Sequence, residues 1–299
     1  MAERELCVIF NPTSGKHRGK RRLEAVQRTW GDHVVLRPTD HPGHAVELAR
    51  QAALDGFAIV AAAGGDGTVH EVANGLLDSG RRDVRFGLLP IGSANDYAYS
   101  VASETTATGT GPRWVDVGRV REPSGRERYF VCCLGLGLNG AVTIESRRIR
   151  LLQGMLLYGW ATLKALWKHY DCPIMRMQID DASVWETPTL MFSTLVGKRE
   201  GGFVLAPQAR LDDGRLDFIH VARLSRLQVL RFLPRVALFG PPAAHPQIRQ
   251  GQCRRVHLES AAALNVHIDG EFFCTAPDNV RELTIEIVPR ALQVEMLTV

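Results

Sequence analysis

The sequence FAIVAAAGGDGT, residues 57–68, decides the fold of the first part of this chain. A short apolar run that ends in glycines is typical of a buried parallel strand followed by a phosphate-handling turn. Glycines let the backbone approach a polyphosphate closely and present N–H groups to it. Asp66 stands where a Mg²⁺ bound to that polyphosphate would need an oxygen ligand. The alternative is a turn rich in Gly and Asp that only ends a strand.

The flanking sequence predicts a parallel sheet. Four apolar runs predicted as strands alternate with three predicted helices; the strands are 6–10, 34–36, 57–63 and 84–89, and the helices are 18–28, 44–54 and 69–77. Strands separated by helices at this spacing indicate βαβ units. We therefore expect a nucleotide-binding α/β domain over residues 1–112, with the Thr-, Gly- and Ala-rich segment 103–112 as a linker.

From about Trp114 the pattern becomes one of short alternating runs, such as 114–120, 128–134 and 190–196. Runs of this kind are typical of an antiparallel sandwich. Two helical stretches, 148–169 and 225–239, interrupt them. The pattern predicts a β-sandwich domain over residues 113–299, and leaves open a return of the last strand to the first domain.

Composition narrows the class of protein. Apolar residues make up 45% of the chain and charged residues 23%, and 36 Lys+Arg against 32 Asp+Glu give a net charge of +4. That excess is too small to indicate nucleic-acid binding. The six cysteines form no CxxC pair, which favours reduced thiols. With no signal peptide and no apolar run long enough to span a bilayer, we expect a soluble, cytoplasmic protein.

Two more loops follow predicted strands. They are NPTSGK at residues 11–16 and PIGSANDY at residues 90–97. Loops at the carboxyl ends of parallel strands converge on the ligand crevice of an open α/β sheet. Together with Gly64–Thr68 they would supply backbone amides, hydroxyl groups, a lysine and the carboxylates of Asp66 and Asp96. Each loop alone reads as a structural turn.

The segment HIDGE, residues 267–271, is a fourth candidate. A strand that ends in Asp-Gly is a turn by default. The functional alternative makes Glu271 a general base that takes the proton from an attacking hydroxyl group, facing the nucleotide loops from the second domain.

Together these segments resemble the catalytic domain of the diacylglycerol kinase family, in its soluble bacterial lipid kinase branch. The family shares its nucleotide fold with sphingosine kinases and, more distantly, with NAD kinases and phosphofructokinases. The resemblance covers essentially the whole chain and rests on five segments: NPTSGK (11–16), GGDGTVHEVANGL (64–76), PIGSANDYA (90–98), GGFVLAPQARLDDGRLD (201–217) and DGE (269–271). It implies a Rossmann-like α/β domain with an NAD kinase-like parallel sheet, followed by an antiparallel β-sandwich domain that binds the lipid.

The resemblance also implies roles for individual residues. Asp66 and Asp96 would organise Mg²⁺ and the triphosphate, and Glu271 would be the catalytic base. A structural Mg²⁺ would be bound by the Asp213 carboxylate and the carbonyls of Arg210 and Arg215, where the alternative is an Asp-Gly turn without metal. The residues implied to contact ATP are Asn11, Thr39, Gly64, Gly65, Asp66, Gly67, Thr68 and Ser93.

Three positions depart from the family pattern. Ser93 replaces the usual threonine and keeps the hydroxyl, and Tyr97 replaces a phenylalanine. Tyr99 stands where a basic residue is common, which puts in doubt any phosphate or headgroup contact made from that position.

The function expected from these features is that of an ATP- and Mg²⁺-dependent kinase acting on the hydroxyl of diacylglycerol or a related lipid. Two alternatives stay open: a kinase of a soluble acceptor such as NAD, and a non-catalytic regulator that binds nucleotide or lipid. A lipid substrate implies work at a membrane, so peripheral location at the inner membrane face is open, as is a homodimer.

The first helical stretch of the second domain begins with the basic residues 147–150 and continues with the apolar segment 151–167, whereas in the second stretch arginines interleave with leucines. Either could lie on an anionic bilayer. The alternative is that their apolar residues pack in the core while their arginines are solvated.

Overall fold

The computed structural model describes residues 5–14, 16–108, 111–149, 152, 154–242 and 244–297, with the side chains of 16–18, 105–108 and 154–155 left out. The chain divides into two compact units. The first comprises the described residues up to Asp116 together with those from Pro289 onwards, and the second is Val117–Val288.

The strands are β1 (Leu6–Phe10), β2 (Val34–Pro38), β3 (Ile59–Gly64), β4 (Arg85–Pro90), β5 (Arg113–Arg121), β6 (Glu127–Phe130), β7 (Cys133–Gly137), β8 (Ile174–Ile179), β9 (Trp185–Leu195), β10 (Arg199–Glu200), β11 (Phe203–Val204), β12 (Leu216–Ala222), β13 (Ile248–Cys253), β14 (Arg255–Ser260), β15 (Val266–Ile268), β16 (Glu271–Cys274) and β17 (Glu282–Met296). The α-helices are α1 (Lys16–Trp30), α2 (His44–Leu54), α3 (Asp66–Asp78), α4 (Asp96–Thr108), α5 (Leu138–Ser146), α6 (Gly154–Lys168) and α7 (Arg226–Phe239). Two 3₁₀ turns lie at Gly31–His33 and Ala276–Asp278.

The first unit is built on a parallel sheet in the order β17-β4-β3-β1-β2, in which the last residues of β17 pair with β4. Every residue of β3 is buried, as expected for a central parallel strand covered on both faces. The pairs Phe10–Ala63 and Gly64–Pro90 bring the carboxyl ends of β1, β3 and β4 to one edge of the sheet. The predicted parallel α/β fold is confirmed.

The second unit is antiparallel, and the predicted β-sandwich is likewise confirmed. Strand β9 pairs with three other strands of this unit. Its first residues pair with β8, and its later residues pair with β7 on one side and β12 on the other. β14 joins β8 to the first half of β17, and β15 joins β7 to β16. Helices α5, α6 and α7 pack on a core that includes Leu166, Leu195, Ile219 and Val229.

Some predicted boundaries are wrong. The segment 103–112 is not a free linker, because α4 continues to Thr108. The predicted strand 128–134 is two strands, since the N–H groups of Val131 and Cys132 donate to the Asp269 side chain instead of to a neighbouring strand. The helix predicted over 148–169 is shorter, because α6 spans only Gly154–Lys168. The sequence did not predict α5, which begins directly after Gly137 turns the chain with a φ of 72°.

All six cysteines are buried free thiols, in agreement with their pattern in the sequence. No helix in the described part of the chain is long and apolar enough to cross a membrane.

Candidate active site

The N-terminus of α3 is the centre of the site in the first unit. β3 ends at Gly64 and α3 begins only two residues later, at Asp66. Gly65 is the N-cap residue and provides no side-chain cap. Because the first N–H groups of a helix have no partner within it, this end presents donors and the positive end of the helix dipole. Such an end is suited to an anionic phosphate group.

The loop after β4 lies directly against this turn. The N–H groups of Ile91 and Gly92 both donate to the carbonyl oxygen of Gly64, at 3.1 Å. A Cβ on Gly92 would lie 2.3 Å from the Cα of Gly65. The two loops therefore touch backbone to backbone, and only glycine at position 92 permits the contact.

Asp66 and Asp96 each stand at the first residue of a helix, α3 and α4. The Tyr97 N–H donates to Oδ1 of Asp66 at 3.4 Å, which links the start of α4 to the start of α3. Asp96 is buried and so is the whole Tyr97 side chain. The carboxylates are thus held at two adjoining helix starts, and the Tyr97 ring occupies a core position as the family's phenylalanine would.

Asn11 and Thr39 follow β1 and β2 at the same edge. The Asn11 N–H donates to the Ala63 carbonyl at 3.4 Å, and the Thr39 N–H donates to the Phe10 carbonyl at 2.9 Å. The Asn11 amide oxygen accepts from both the N–H and the hydroxyl of Thr13, which stiffens the loop. Ser93 is exposed on the loop after β4. Gly15 and the Lys16 side chain lie outside the described residues.

In the second unit, Asp269 and Glu271 have different surroundings although only Gly270 separates them. Asp269 is buried and adopts a positive φ of 53°. Its carboxylate accepts the backbone N–H groups of three successive residues, Val131, Cys132 and Cys133, at 2.8–3.0 Å. This fixes the turn from β15 to β16. Asp269 therefore has a structural role. The sequence motif alone did not distinguish that role from the one expected of Glu271.

Glu271 opens β16 and its side chain is 42% exposed. The Arg147 guanidinium donates to Oε2 of Glu271 at 2.5 Å and to the Gly270 carbonyl at 3.1 Å. The same guanidinium lies over the Phe272 ring, 4.6 Å from its centroid. These three contacts hold the Glu271 carboxylate in one place. Sequence reasoning missed this role of Arg147, because 124 positions separate the two residues and no local motif joins them.

A buried polar cluster surrounds His267 on β15, the strand that leads into this turn. Nε2 of His267 is 2.9 Å from Oε1 of Glu200, and Asn139 donates to the same oxygen at 2.7 Å. Gly135 makes room for it, since a Cβ there would lie 2.4 Å from the His267 ring. No local pattern in the sequence indicated this cluster.

The loop 210–215 forms a turn with Gly214 at a φ of 70°. Oδ1 of Asp213 accepts the Arg215 N–H at 3.0 Å, and Oδ2 accepts from the Gln252 side chain at 3.3 Å. Burial raises the pKa of neighbouring Asp217, and the Asp213 charge raises it further. The Asp213 carboxylate and the backbone carbonyls of the loop are oxygen ligands of the kind that a hard divalent cation binds. Among the described residues, no three His, Cys, Asp or Glu side chains come together as a metal cluster.

Comparison with known proteins identifies the family to which the chain belongs. A family model described as the diacylglycerol kinase catalytic domain matches residues 5–116. A second, described as the YegS C-terminal NAD kinase beta sandwich-like domain, matches residues 133–296. The chain belongs to the diacylglycerol kinase catalytic-domain family. Membership of the diacylglycerol kinase family makes it a lipid kinase.

Individual relatives agree. The chain is 28% identical to a diacylglycerol kinase of Bacillus subtilis over 283 residues, which cover 89% of each chain. It is also 28% identical to a diacylglycerol kinase of Staphylococcus aureus over 291 residues, covering 92% of this chain and 89% of that one.

Solved structures share the fold of this diacylglycerol kinase family member. A diacylglycerol kinase structure from Bacillus anthracis superposes with a TM-score of 0.70 at 17% identity, covering 99% of this chain and 97% of that one. An NAD kinase from Archaeoglobus fulgidus in complex with ATP reaches a TM-score of 0.50 at 13% identity, with 98% and 93% covered.

Proposed function

We propose that this chain is an ATP-dependent kinase that transfers the γ-phosphate to the hydroxyl group of diacylglycerol or a closely related lipid at a membrane surface. The observation that carries the proposal is the junction of two helix starts, α3 and α4, through the contact between Asp66 and the Tyr97 N–H. A turn that merely ended a strand would need neither the second carboxylate, Asp96, nor the close approach of Gly92.

In this proposal the triphosphate lies at the edge of the parallel sheet. The N–H groups of Gly67 and Thr68 at the start of α3 contact its oxygens, and Asn11, Thr39 and Ser93 flank it. The carboxylates of Asp66 and Asp96 would hold Mg²⁺, which when bound neutralises charge on the phosphate oxygens. Positioning and charge neutralisation supply most of the rate of a phosphoryl transfer.

Glu271 is the proposed general base. As the lipid oxygen bonds to the γ-phosphorus, the bond from that phosphorus to the bridging oxygen breaks and ADP leaves. The hydroxyl proton passes to the Glu271 carboxylate. Arg147 is a positioning residue, because it holds that carboxylate in place before the acceptor binds.

The loop 210–215 is proposed to hold a structural Mg²⁺ through the carboxylate of Asp213 and the carbonyls of Arg210 and Arg215. The turn at Gly214 and the Asp213 carboxylate within it support this assignment. Mg²⁺ binding there would stabilise the loop that leads into β12.

The test is transfer of radiolabelled γ-phosphate from ATP into diacylglycerol in mixed micelles. The wild type is compared with Asp66→Ala and Glu271→Ala, and each variant has a matched control that removes an exposed carboxylate elsewhere: Asp78→Ala at the far end of α3, and Glu282→Ala at the start of β17. We expect both site variants to lose nearly all turnover and both controls to keep it, with melting curves unchanged throughout.

Other outcomes would reject parts of the proposal. Normal turnover in Glu271→Ala would remove the base assignment. ATP consumption without label in the organic phase would indicate a soluble acceptor, which an assay with NAD would then examine. ATP binding without consumption would favour a non-catalytic regulator.

A further inference from the structure

Helices α6 and α7 of the second unit have two apolar faces each. The inner face packs in the core: Ala165 and Leu166 of α6 and Val229 of α7 belong to the buried cluster of this unit. The outer face of a solvated helix should be polar. Here it carries eight of the exposed large apolar side chains of the described residues: Leu156, Trp160, Leu163, Trp167, Leu227, Leu230, Leu238 and Phe239.

Their spacing makes these side chains continuous rows. On α6 they recur at intervals of three and four residues, from Leu156 to Trp167, which places them on one side of the helix. On α7 Leu230 follows Leu227 by three residues, and Leu238 lies eight residues, or about two turns, further along. The exposed fraction of the side chain is highest near the row ends, at 74% for Leu156, 78% for Trp167 and 75% for Leu238.

Arg226 connects the two helices. Its Nε donates to the Leu166 carbonyl at 3.1 Å, and its guanidinium lies 5.7 Å from the Trp167 ring centroid. The rows therefore lie on adjoining helices. We call these eight side chains the outer apolar face. Exposed apolar side chains grouped on adjoining helices are typical of an interaction site.

The sequence that contains and flanks α7 carries charge of one sign. Residues 218–258 contain seven arginines and no Asp or Glu, in a chain whose net charge is only +4. Arg231 and Arg235 stand beside the α7 row, and neither forms an ion pair with an acidic side chain in the described part of the chain. Residues 146–170 also lack Asp and Glu, although Arg147, Arg148 and Lys168 pair with acids outside that segment.

We propose that the outer apolar face of α6 and α7 is the surface by which this protein docks on a bilayer containing anionic phospholipids. Leucine and phenylalanine side chains would enter the acyl boundary, and the tryptophans would lie at headgroup depth. Arg231 and Arg235 would meet lipid phosphates, each contributing attraction that salt screens. A protein partner covering this face would have to be acidic as well as apolar. The inference deepens the proposed function, since a lipid kinase must reach its acceptor in a membrane.

The experiment measures flotation of the full chain, without ATP, with phosphatidylcholine vesicles that contain or lack phosphatidylglycerol. We expect binding only to the anionic vesicles, and release by salt. Trp160→Glu and Leu238→Glu should each lower the partition coefficient about 10- to 100-fold, the range for losing one buried large apolar side chain. Arg231→Gln with Arg235→Gln should weaken binding and flatten its salt dependence.

The matched control is Leu54→Glu, which places the same charge at an exposed apolar position (45% exposed) on α2 of the first unit. It should float like the wild type. Melting curves verify that each variant is folded. Vesicles with brominated acyl chains give a second readout: they should quench tryptophan fluorescence in the wild type, and less in Trp160→Phe.

Three results would overturn the proposal. They are no flotation of the folded wild type with either vesicle, equal flotation of the wild type and the two glutamate variants, and a concentration-dependent dimer in light scattering that Leu238→Glu abolishes. Failure of the proposed function looks different: vesicle binding would persist while no label entered the lipid. If both hold, the glutamate variants lose turnover on vesicles but keep it on diacylglycerol dispersed in detergent.

Discussion

Gly92 and Gly65 meet backbone to backbone, so that a Cβ added to Gly92 would lie 2.3 Å from the Gly65 Cα. This contact brings the loop after β4 against the start of α3. It needs no side chain from either residue, and both Ile91 and Gly92 reinforce it by donating to the Gly64 carbonyl. The spacing of the two carboxylates, Asp66 and Asp96, depends on it.

Gly92→Ala should therefore separate the two loops. We expect a loss of about 1–3 kcal/mol in the free energy of unfolding, the usual effect of overpacking, and a larger loss in ATP affinity. Chemical denaturation and calorimetric titration with ATP measure the two effects. Gly111→Ala is the control, because a Cβ at that position meets no atom within 4 Å. Unchanged ATP affinity in Gly92→Ala would show that the contact does not shape the site.

Asp269→Asn tests the anchor of the turn that carries Glu271. The neutral amide has one acceptor oxygen in place of two, so all three backbone donors lose a charged partner and at least one loses its acceptor. Loss of a buried hydrogen bond to a charged group should lower the free energy of unfolding by about 1.5–3 kcal/mol. Asn accepts the positive φ, so backbone strain does not contribute.

Asp180→Asn is the matched control for that change. Asp180 also has a positive φ, 49°, and also accepts two backbone N–H groups, those of Arg254 and Arg255, but it is exposed. Urea unfolding should show a smaller effect there. Equal effects at the two positions would mean that burial of the Asp269 carboxylate does not determine its contribution.

Arg147→Gln tests the positioning of Glu271. The pair is nearly half exposed, so the free energy of unfolding should change by less than about 0.5 kcal/mol. If Glu271 is the base, kcat should fall about 10- to 100-fold through its misplacement, with KM for ATP unchanged. Arg147→Lys should restore part of the rate, and Arg148→Gln, which removes a neighbouring cation paired with Glu145, should not lower it. Full activity in Arg147→Gln would argue against a positioning role.

His220 predicts an acid-dependent loss of stability. Burial and, to a smaller extent, the charge of Arg249 lower the pKa of this histidine from 6.5 to about 4. Between these values the unfolded chain binds a proton that the folded chain excludes, so stability falls as the pH drops from 6.5 to 4 and is fully present above 6.5. The contribution is at most about 3 kcal/mol.

The check is the free energy of unfolding measured at several pH values between 4 and 7. His220→Gln should flatten the dependence, because glutamine does not titrate. His257→Gln, at a half-buried position on β14, serves as the control. A slope that persists in His220→Gln would assign the dependence to other groups.

The sequence by itself determined the parallel sheet, the antiparallel second unit and the family, because these depend on local patterns. An apolar run such as Ile59–Ala63, followed directly by two glycines, is compatible with few local structures, of which a buried strand ending in a tight turn is one. The same holds for the start of α3 at Asp66, since strand, turn and helix follow one another within a few residues. Candidate residues such as Asp66, Asp96 and Glu271 could be named because each lies in a short motif.

Tertiary structure alone decided which partners those residues have. Arg147 reaches Glu271 across 124 positions, and Asp269 collects the N–H groups of a segment 136–138 positions away. Chain separation of that order leaves no periodic trace, so no sequence pattern could report either contact. The apolar side chains of α6 and α7 are a further case: hydrophobicity indicates burial, and only the packing of both helices shows which of these residues, Trp167 and Phe239 among them, stay exposed.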